Sequence, residues 1–255
     1  TSCTQISASA VKTDGTLWTW GSNISGQLGL NNRTQYASPN QVGALTNWLV
    51  TAGEYASFMA IKTNGTLWGI GRNGDGQLGV GNTISRSSPT QVGTGTTWSK
   101  IGGCYNACIA TKTDGTLWVW GNCDYGQLGL NTTTYYSSPV QIGNLTNWKQ
   151  VSTSTWQTAA VKTDGTLWVW GRNNNNQLGL NDTVYRSSPT QVGTSSWSQI
   201  ASGPSHSMAI RIDGGLFTWG AGTAGQLGDG TTNTTRSSPV QVGTNSWSQI
   251  AAGQG

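Results

Sequence analysis

Residues 165–172 read GTLWVWGR, and nearly the same words stand at 15–22 (GTLWTWGS), 65–72 (GTLWGIGR) and 115–122 (GTLWVWGN). A degraded copy, GGLFTWGA, occupies 214–221. The residues that open the phrase, Asp14, Asn64, Asp114, Asp164 and Asp213, step by 50, 50, 50 and 49. Ser-Pro pairs end in step at Pro39, Pro89, Pro139, Pro189 and Pro239, and GQLG recurs at 26–29, 76–79, 126–129 and 225–228, with NQLG at 176–179. A fixed period of this length marks a propeller, a solenoid or an array.

Within one period the pattern is that of strands. WSQIAS (197–202) and HSMAIRI (206–212) alternate polar and apolar residues, and GLFTWG (215–220) and PVQVG (239–243) follow. Short alternating runs bounded by Gly, Pro, Asn and Ser are half-buried strands. No segment repeats its apolar residues at 3.6, so almost no helix is expected. Asp-Gly or Asn-Gly between the second and third strands suggests a tight two-residue turn of type I′, whose central residues need positive φ. Four antiparallel strands per fifty residues make a propeller blade. The fold expected is all-β, a β-propeller over 1–255, with repeats at 1–46, 47–96, 97–146, 147–195 and 196–245. Residues 246–255 repeat the tryptophan-bearing strand that the first copy lacks, so they are expected to close the first blade and a five-blade ring. The alternative is part of a seven-bladed propeller.

Thirteen of the 14 tryptophans fall in three columns. The first holds Trp18, Trp68, Trp118 and Trp168, with Phe217 in the last place; the second holds Trp20, Trp120, Trp170 and Trp219, with Ile70 in the second. The third is Trp48, Trp98, Trp148, Trp197 and Trp247. Ile and Phe replace Trp without breaking the pattern, which suits packing and not specific indole chemistry. A buried Trp removes roughly 150–250 Å² from water, on the order of 4–6 kcal/mol gross at about 25 cal/mol per Å². A blade with few Leu and Phe needs that contribution. Trp156 stands outside the columns, in STSTWQT (152–158), where other copies have Ala56, Asn106 and Ser205. An unmatched aromatic in a loop is a candidate contact anchor; the competing reading is local packing.

Charged residues are 9% of the chain and the net charge is +4. With 14 Trp this is a folded chain with an uncharged polar surface, not a disordered one. The basic pI does not indicate nucleic acid. Five of the 13 basic residues form one column, Lys12, Lys62, Lys112, Lys162 and Arg211, ahead of the hairpin turns, and no concentrated basic patch exists. No run of 18 apolar residues is present, so no membrane insertion by a helix is expected. The absence of an initiator Met and of a leader reads as a mature chain or an excerpt.

Catalytic constellations are not found. His206 is the one histidine, with no nucleophile-elbow motif and no paired carboxylates at a sensible spacing. GQLG lacks the Lys-Ser/Thr of a phosphate loop. Cys3, Cys104, Cys108 and Cys123 do not repeat and contain no C-x-x-C pair, so neither a metal nor a cofactor is expected. Counting across a two-residue turn places Cys108 opposite about Gly121 and Cys123 opposite about Asn106, so Cys104 or Cys108 is expected within reach of Cys123. Positions that vary between copies are the better candidates for contact. Asp124 and Tyr125 vary in the loop after the third strand. Tyr36, Arg86, Tyr136, Arg186 and Arg236 form a column before the Ser-Pro pairs, and Arg72 and Arg172 close two copies of the opening phrase. Tyr and Arg are favoured contact residues; their other use is to cover a blade edge with long stems.

WGSNISGQLGL (20–30), GRNGDGQLGV (71–80) and IASGPSHSMAI (200–210) resemble the regulator of chromosome condensation repeat, with its W-G-x-N-x-x-G-Q-L-G core and A-x-G-x-x-H-x-x-A-L strand. The resemblance covers essentially the whole chain. The second motif is worn: only Gly203 with His206 keeps both signature residues, and Glu54 and Ser57, Cys104 and Ala107, and Ser154 and Gln157 stand at the matching positions. The resemblance implies a structural His206, usually seven blades, and protein binding through propeller faces. One branch of the family senses ultraviolet light through tryptophans ringed by clustered Arg and Asp, and no such cluster is visible here. The expectation is a non-enzymatic binding or structural module, recognising an unknown protein or a surface glycan outside a cell or on a virion, with oligomeric assembly open. Guanine-nucleotide exchange on a small GTPase is the alternative. That activity depends on an inserted wedge, for which the uniform spacing leaves no room.

Overall fold

The computed structural model describes residues 7–54, 56–104 and 106–253, apart from the side chains of Glu54 and Cys104. The described residues form strands, turns and loops, and none is helical. Sheet one contains β1 (Ser7–Val11), β2 (Leu17–Gly21) and β3 (Tyr36–Gln41). Sheet two contains β4 (Trp48–Glu54), β5 (Ser57–Lys62), β6 (Leu67–Gly71) and β7 (Arg86–Gln91). Sheet three is β8 (Trp98–Cys104), β9 (Ala107–Lys112), β10 (Leu117–Gly121) and β11 (Tyr136–Gln141). Sheet four is β12 (Trp148–Thr153), β13 (Gln157–Lys162), β14 (Leu167–Gly171) and β15 (Arg186–Gln191). Sheet five is β16 (Trp197–Ser202), β17 (His206–Arg211), β18 (Gly215–Gly222) and β19 (Thr234–Ser246). Every sheet is an antiparallel meander, the blade that the period and alternation imply.

The strands divide between two compact units. Sheets one to three, residues 1–122 with 135–141, make the first; residues 123–134 and 142–255, with sheets four and five, make the second. Residues 247–253, expected to add a strand to sheet one, carry no strand, and sheet one has three among the described residues.

The hairpin turns correct the sequence reading. Gly15 N–H bonds the Lys12 carbonyl at 2.9 Å, and Lys12 N–H bonds the Thr16 carbonyl at 2.9 Å. Gly15 has φ +77°, whereas no Asp or Asn at the preceding turn position has positive φ. This is the three-residue connection, a type I turn followed by a left-handed Gly that forms a bulge, and not the two-residue type I′ turn. Asp14 instead anchors the strand that follows. Its Oδ1 accepts from Thr16 N–H at 3.0 Å and from Thr16 Oγ1 at 2.6 Å. The hydroxyl accepts in turn from Trp18 Nε1 at 2.8 Å. Asn64, Asp114 and Asp164 repeat this relay with Trp68, Trp118 and Trp168.

The extra turn residue shifts the strand register by one. Cys108 stands opposite Trp120, and Ala107, not Cys108, faces Gly121. The expected bridge to Cys123 does not form: Cys108 is disulfide-bonded, while Cys123 is a free, buried thiol. Cys123 Sγ donates to the Thr132 carbonyl at 3.2 Å. Asn23, Asn73 and Asn173 make the matching bond from Nδ2 to residues 32, 82 and 182, so the thiol replaces a loop-closing amide.

The third tryptophan column sits at the centre of each aromatic group. Trp98 meets Trp118 and Trp120 edge-on, both at 6.0 Å, and Trp148 meets Trp168 and Trp170 at 6.5 and 6.2 Å. Trp120, Trp170 and Trp219 are wholly buried, and their Nε1 groups donate to the carbonyls of Gln77, Gln127 and Gln177 at 2.8–2.9 Å. The Gln of three of the five tetrads thus receives the indole of the following copy; after Gln27 the following copy has Ile70 in that place. Trp247 differs: its N–H keeps the column's bond to a turn glycine, Gly214, yet its side chain is 43% exposed. Elsewhere these rings are mortar. Apolar residues of β5, β6, β9 and β10 surround Trp98 and Trp120 in the first unit, and those of β13, β14, β16, β17 and β18 surround Trp197 and Trp219 in the second.

Glycine is required in the W-G dipeptide. Gly171 has φ +105°, and a Cβ there would lie 2.5 Å from the Trp156 carbonyl oxygen. The same crowding recurs at Gly71, Gly121 and Gly220. These glycines fall where the third strand shifts register against the fourth.

Candidate functional site

The basic column is spent on the tryptophans. Lys62, Lys112 and Lys162 place Nζ 3.7–3.8 Å from the ring centroids of Trp68, Trp118 and Trp168, and 4.6–5.0 Å from those of Trp48, Trp98 and Trp148. Such contacts hold a cation against the indole faces without supplying a counter-charge. The column therefore does not present a patch for phosphates.

His206 is buried, and burial holds its pKa below the usual histidine range. Its ring lies against Gly203, where any Cβ would fall 2.4 Å from an imidazole carbon. The backbone carbonyl of His206 accepts from Gln157 Nε2 at 3.0 Å, and the Gly203 carbonyl from the same nitrogen at 2.8 Å. The Gly-x-x-His pair is a packing unit, and Gln157, which stands at the histidine position of its own copy, reaches across to it.

The Tyr and Arg column is dispersed. Each member begins or lies in the outer strand of its own sheet, opposite the W-G glycine: Tyr36 by Gly21, Arg86 by Gly71, Tyr136 by Gly121, Arg186 by Gly171 and Arg236 by Gly220. Arg186 is paired with Asp182 at 2.6 Å and Arg236 with Asp229 at 2.7 Å. The Asp229 carboxyl is held down to about 2 by the Thr231 hydroxyl and by Arg236. Tyr136 packs on the core of the first unit, and the Tyr36 hydroxyl accepts from Asn32 at 3.3 Å. Tyr36, Tyr136, Arg186 and Arg236 thus make contacts within their own units. Arg72 is also engaged, with Asp75 at 3.0 Å and the Asn106 Oδ1 at 2.9 Å.

A different set comes together in the second unit. The Tyr125 and Trp156 rings meet edge-on at 5.1 Å, and Tyr125 meets Tyr185 at 5.5 Å. The Arg172 guanidinium lies 5.2 Å from the Tyr125 centroid. Tyr125 comes from the loop after β10, Trp156 from the β12–β13 turn, Arg172 from the end of β14 and Tyr185 from the approach to β15. Asp124, beside Tyr125, is exposed. Arg172 N–H bonds the Trp156 carbonyl at 2.9 Å, so Arg172 and the anchor are positioned together. Arg172 is the counterpart of Arg72, but Asn175 replaces Asp75, and it has no ion pair among the described residues; its Nε is buried without a partner. Tyr185 is 44% exposed and its neighbour Val184 60%. Tyr185 is absent from the sequence-derived candidates. The signal was weaker than the one that marked Trp156: other copies hold Gln35, Ser85 and Thr235 at this loop position, but the third holds Tyr135. Among the described residues no group of three His, Cys, Asp or Glu is placed to hold a metal ion.

The Regulator of chromosome condensation (RCC1) repeat model matches residues 14–59, 64–109, 114–161, 164–210 and 213–255, and a second RCC1 repeat model matches 148–177 and 197–226. No curated protein sequence matches the chain. Among solved structures, human WBSCR16 superposes with a TM-score of 0.83 at 22% identity, covering 94% of this chain and 65% of that one. Prp20p from Saccharomyces cerevisiae, in a study of its binding to Gsp1p and histones, gives 0.83 at 19% identity, covering 94% and 62%. Yeast RCC1 (Prp20) with Kap60 gives 0.84 at 18%, covering 94% and 60%. The fold is therefore shared, and the chain spans less than two thirds of the length of these structures.

Proposed function

This chain belongs to the regulator of chromosome condensation (RCC1) repeat family, and from that premise we propose that it is a non-enzymatic module that docks a protein partner through Trp156, Tyr125, Tyr185 and Arg172. The observation that carries the reading is the convergence of three aromatic rings and one arginine without an ion pair on irregular segments of a rigid sheet scaffold. Loops on such scaffolds are where contact residues collect, and Tyr, Trp and Arg dominate the energetics of protein interfaces. Partner proteins named for the yeast relative fit this class of function, as properties of that relative. The proposed setting is outside a cell or on a virion, supported by the low charge and the Asn-, Thr- and Ser-rich loops.

The test is capture of partners from the source material on immobilised protein, compared with Trp156→Ala and Tyr125→Ala. A partner retained by the parent should bind each variant at least about tenfold more weakly, as expected for anchors worth more than about 1.4 kcal/mol. Thermal melts should show both variants folded. Unchanged affinity in both removes the cluster from the interface. Acceleration of nucleotide release from a small GTPase would instead support the exchange-factor reading, and selective retention on a glycan array would move the ligand class to carbohydrate.

A further inference from the structure

A cavity of about 440 Å³ in the first unit is lined by Leu30, Val42, Leu45, Trp48, Lys62 and Trp68, with Ser88 and Pro89 at one side. Its volume lies in the range of small-molecule pockets, roughly 300–1,000 Å³. The lining is mainly apolar and aromatic, with one cation. Lys62 is only 6% exposed, and its Nζ has no hydrogen bond or ion pair among the described residues. The contacts it has are the faces of Trp68 and Trp48, at 3.7 and 4.6 Å. Indole faces attract a cation but do not neutralise it.

The repeat supplies an internal comparison. In the other four copies the column's cation has an acid two residues later. Lys12 is 2.9 Å from Asp14, Arg211 pairs with Asp213, and Asp114 and Asp164 interact electrostatically with Lys112 and Lys162. In the second copy that acid is Asn64, whose Oδ1 serves Thr66. Burial lowers the Lys62 pKa with no carboxylate opposing the shift. The matching cavity of the next copy, about 260 Å³, is lined by Trp98, Lys112, Ser138 and Pro139 and is the smaller of the two. The buried cation without a local counter-ion thus lines the larger of them.

We propose that this cavity is a binding site for a small apolar carboxylate, whose carboxylate pairs with Lys62 while its hydrocarbon portion packs on Trp48, Trp68, Leu30, Val42 and Leu45. The ligand supplies the counter-charge that Asp provides in the other copies. The site uses none of the residues of the Trp156 cluster and does not depend on the docking function. A free aryl-alkanoic or short-chain aliphatic acid and the terminal carboxylate of a peptide share this chemistry.

The experiment titrates 3-phenylpropionate into isotope-labelled protein and follows the indole N–H signals of Trp48 and Trp68 by NMR, with affinity from calorimetry. Saturable shifts at those two signals are expected, with binding at least about tenfold weaker for 3-phenylpropionamide. Asn64→Asp restores the acid found in the other copies, so its fold should be unaffected, and it should weaken the acid about tenfold. Lys62→Met should remove binding. A peptide ending in a free Phe carboxylate, beside its amidated form, separates the sources: tighter binding than phenylpropionate assigns a chain terminus, and weaker binding assigns a free acid. The proposal is overturned if phenylpropionate leaves Trp48 and Trp68 unshifted, if the amide binds as well as the acid, or if Asn64→Asp leaves the affinity unchanged.

Discussion

The Gln177 carbonyl is a point at which the mortar function of the tryptophans is measurable. It lies in a fully buried residue and accepts two hydrogen bonds, from Trp219 Nε1 at 2.9 Å and from Ser207 Oγ at 2.9 Å. Trp219→Phe removes one donor and about 50 Å² of buried ring, about 1.2 kcal/mol at ~25 cal/mol per Å². With a net hydrogen bond of about 1 kcal/mol, the expected loss is about 2–3 kcal/mol once the residual cavity is included. Ser207→Ala removes the other donor, at about 1 kcal/mol; the Gln157 Nε2 that also contacts this hydroxyl keeps the Gly203 and His206 carbonyls. Each single change leaves the carbonyl one partner. Only the double variant leaves it with neither, which costs about 1–3 kcal/mol in a buried site. The double variant should therefore lose about 1–2 kcal/mol more than the sum of the singles. Urea denaturation of the four proteins, with the m-value monitored because repeat arrays depart from two-state behaviour, gives the cycle. Additivity within about 0.5 kcal/mol would refute the idea that this carbonyl is the shared link between copies.

Two further expectations follow from the same geometry. Gly171→Ala meets both a left-handed backbone and the Trp156 carbonyl, whereas Gly193→Ala meets only a positive φ of 52° with no atom within 4 Å; thermal melts should place the first at least about 2 kcal/mol below the second, and equal losses would show that the close approach is relieved cheaply. In acid, Asp229 and Asp213, each held down to about 2, contribute stability that is present above the unfolded carboxylate pKa of about 3.9 and lost as the pH falls toward 2. Asp229→Asn should flatten the urea midpoint between about pH 4 and pH 2, and an unchanged acid limb would remove the Thr231 and Arg236 contacts from the stability of the native state.

The period, the strands and the burial of seven column indoles (Trp48, Trp98, Trp120, Trp148, Trp170, Trp197 and Trp219) were legible because each is a local property restated with the repeat, whereas Trp18, Trp20, Trp68, Trp118 and Trp168 are only half-buried and Trp247 is exposed. Where Ile70 and Phe217 interrupt a tryptophan column, they remain in apolar packing, Ile70 1% exposed and Phe217 against the core of the second unit. Asp14 and its counterparts were read as turn residues, correctly in place but not in conformation. Nothing in Thr-Asp-Gly-Thr distinguishes a two-residue from a three-residue connection until the Thr16 hydroxyl is seen bridging Asp14 and Trp18. That one residue of register puts Cys108 opposite Trp120 and not Gly121, since pairing in a hairpin depends on loop length; the expected bridge to Cys123 fails for a separate reason, that Cys108 is disulfide-bonded while Cys123 is a free thiol. The Arg and Tyr column reads as contact residues from residue type alone; the structure divides its members among five sheets and pairs two of its arginines with Asp182 and Asp229.

Sequence alone determined the repeating unit: alternation sets which face of a strand is buried, and a column of large apolar side chains at one phase of the repeat must be covered whichever blade it occupies. Tertiary structure alone decided which side chains meet. Tyr125, Trp156, Arg172 and Tyr185 lie up to 60 residues apart in the chain, and although Asn64 marks the Lys62 copy in the sequence, only the structure shows that Lys62 is buried between Trp48 and Trp68 beside a cavity. Burial is a one-body property that a pattern can encode, whereas contact and charge balance are pair properties fixed by distances that no linear spacing contains.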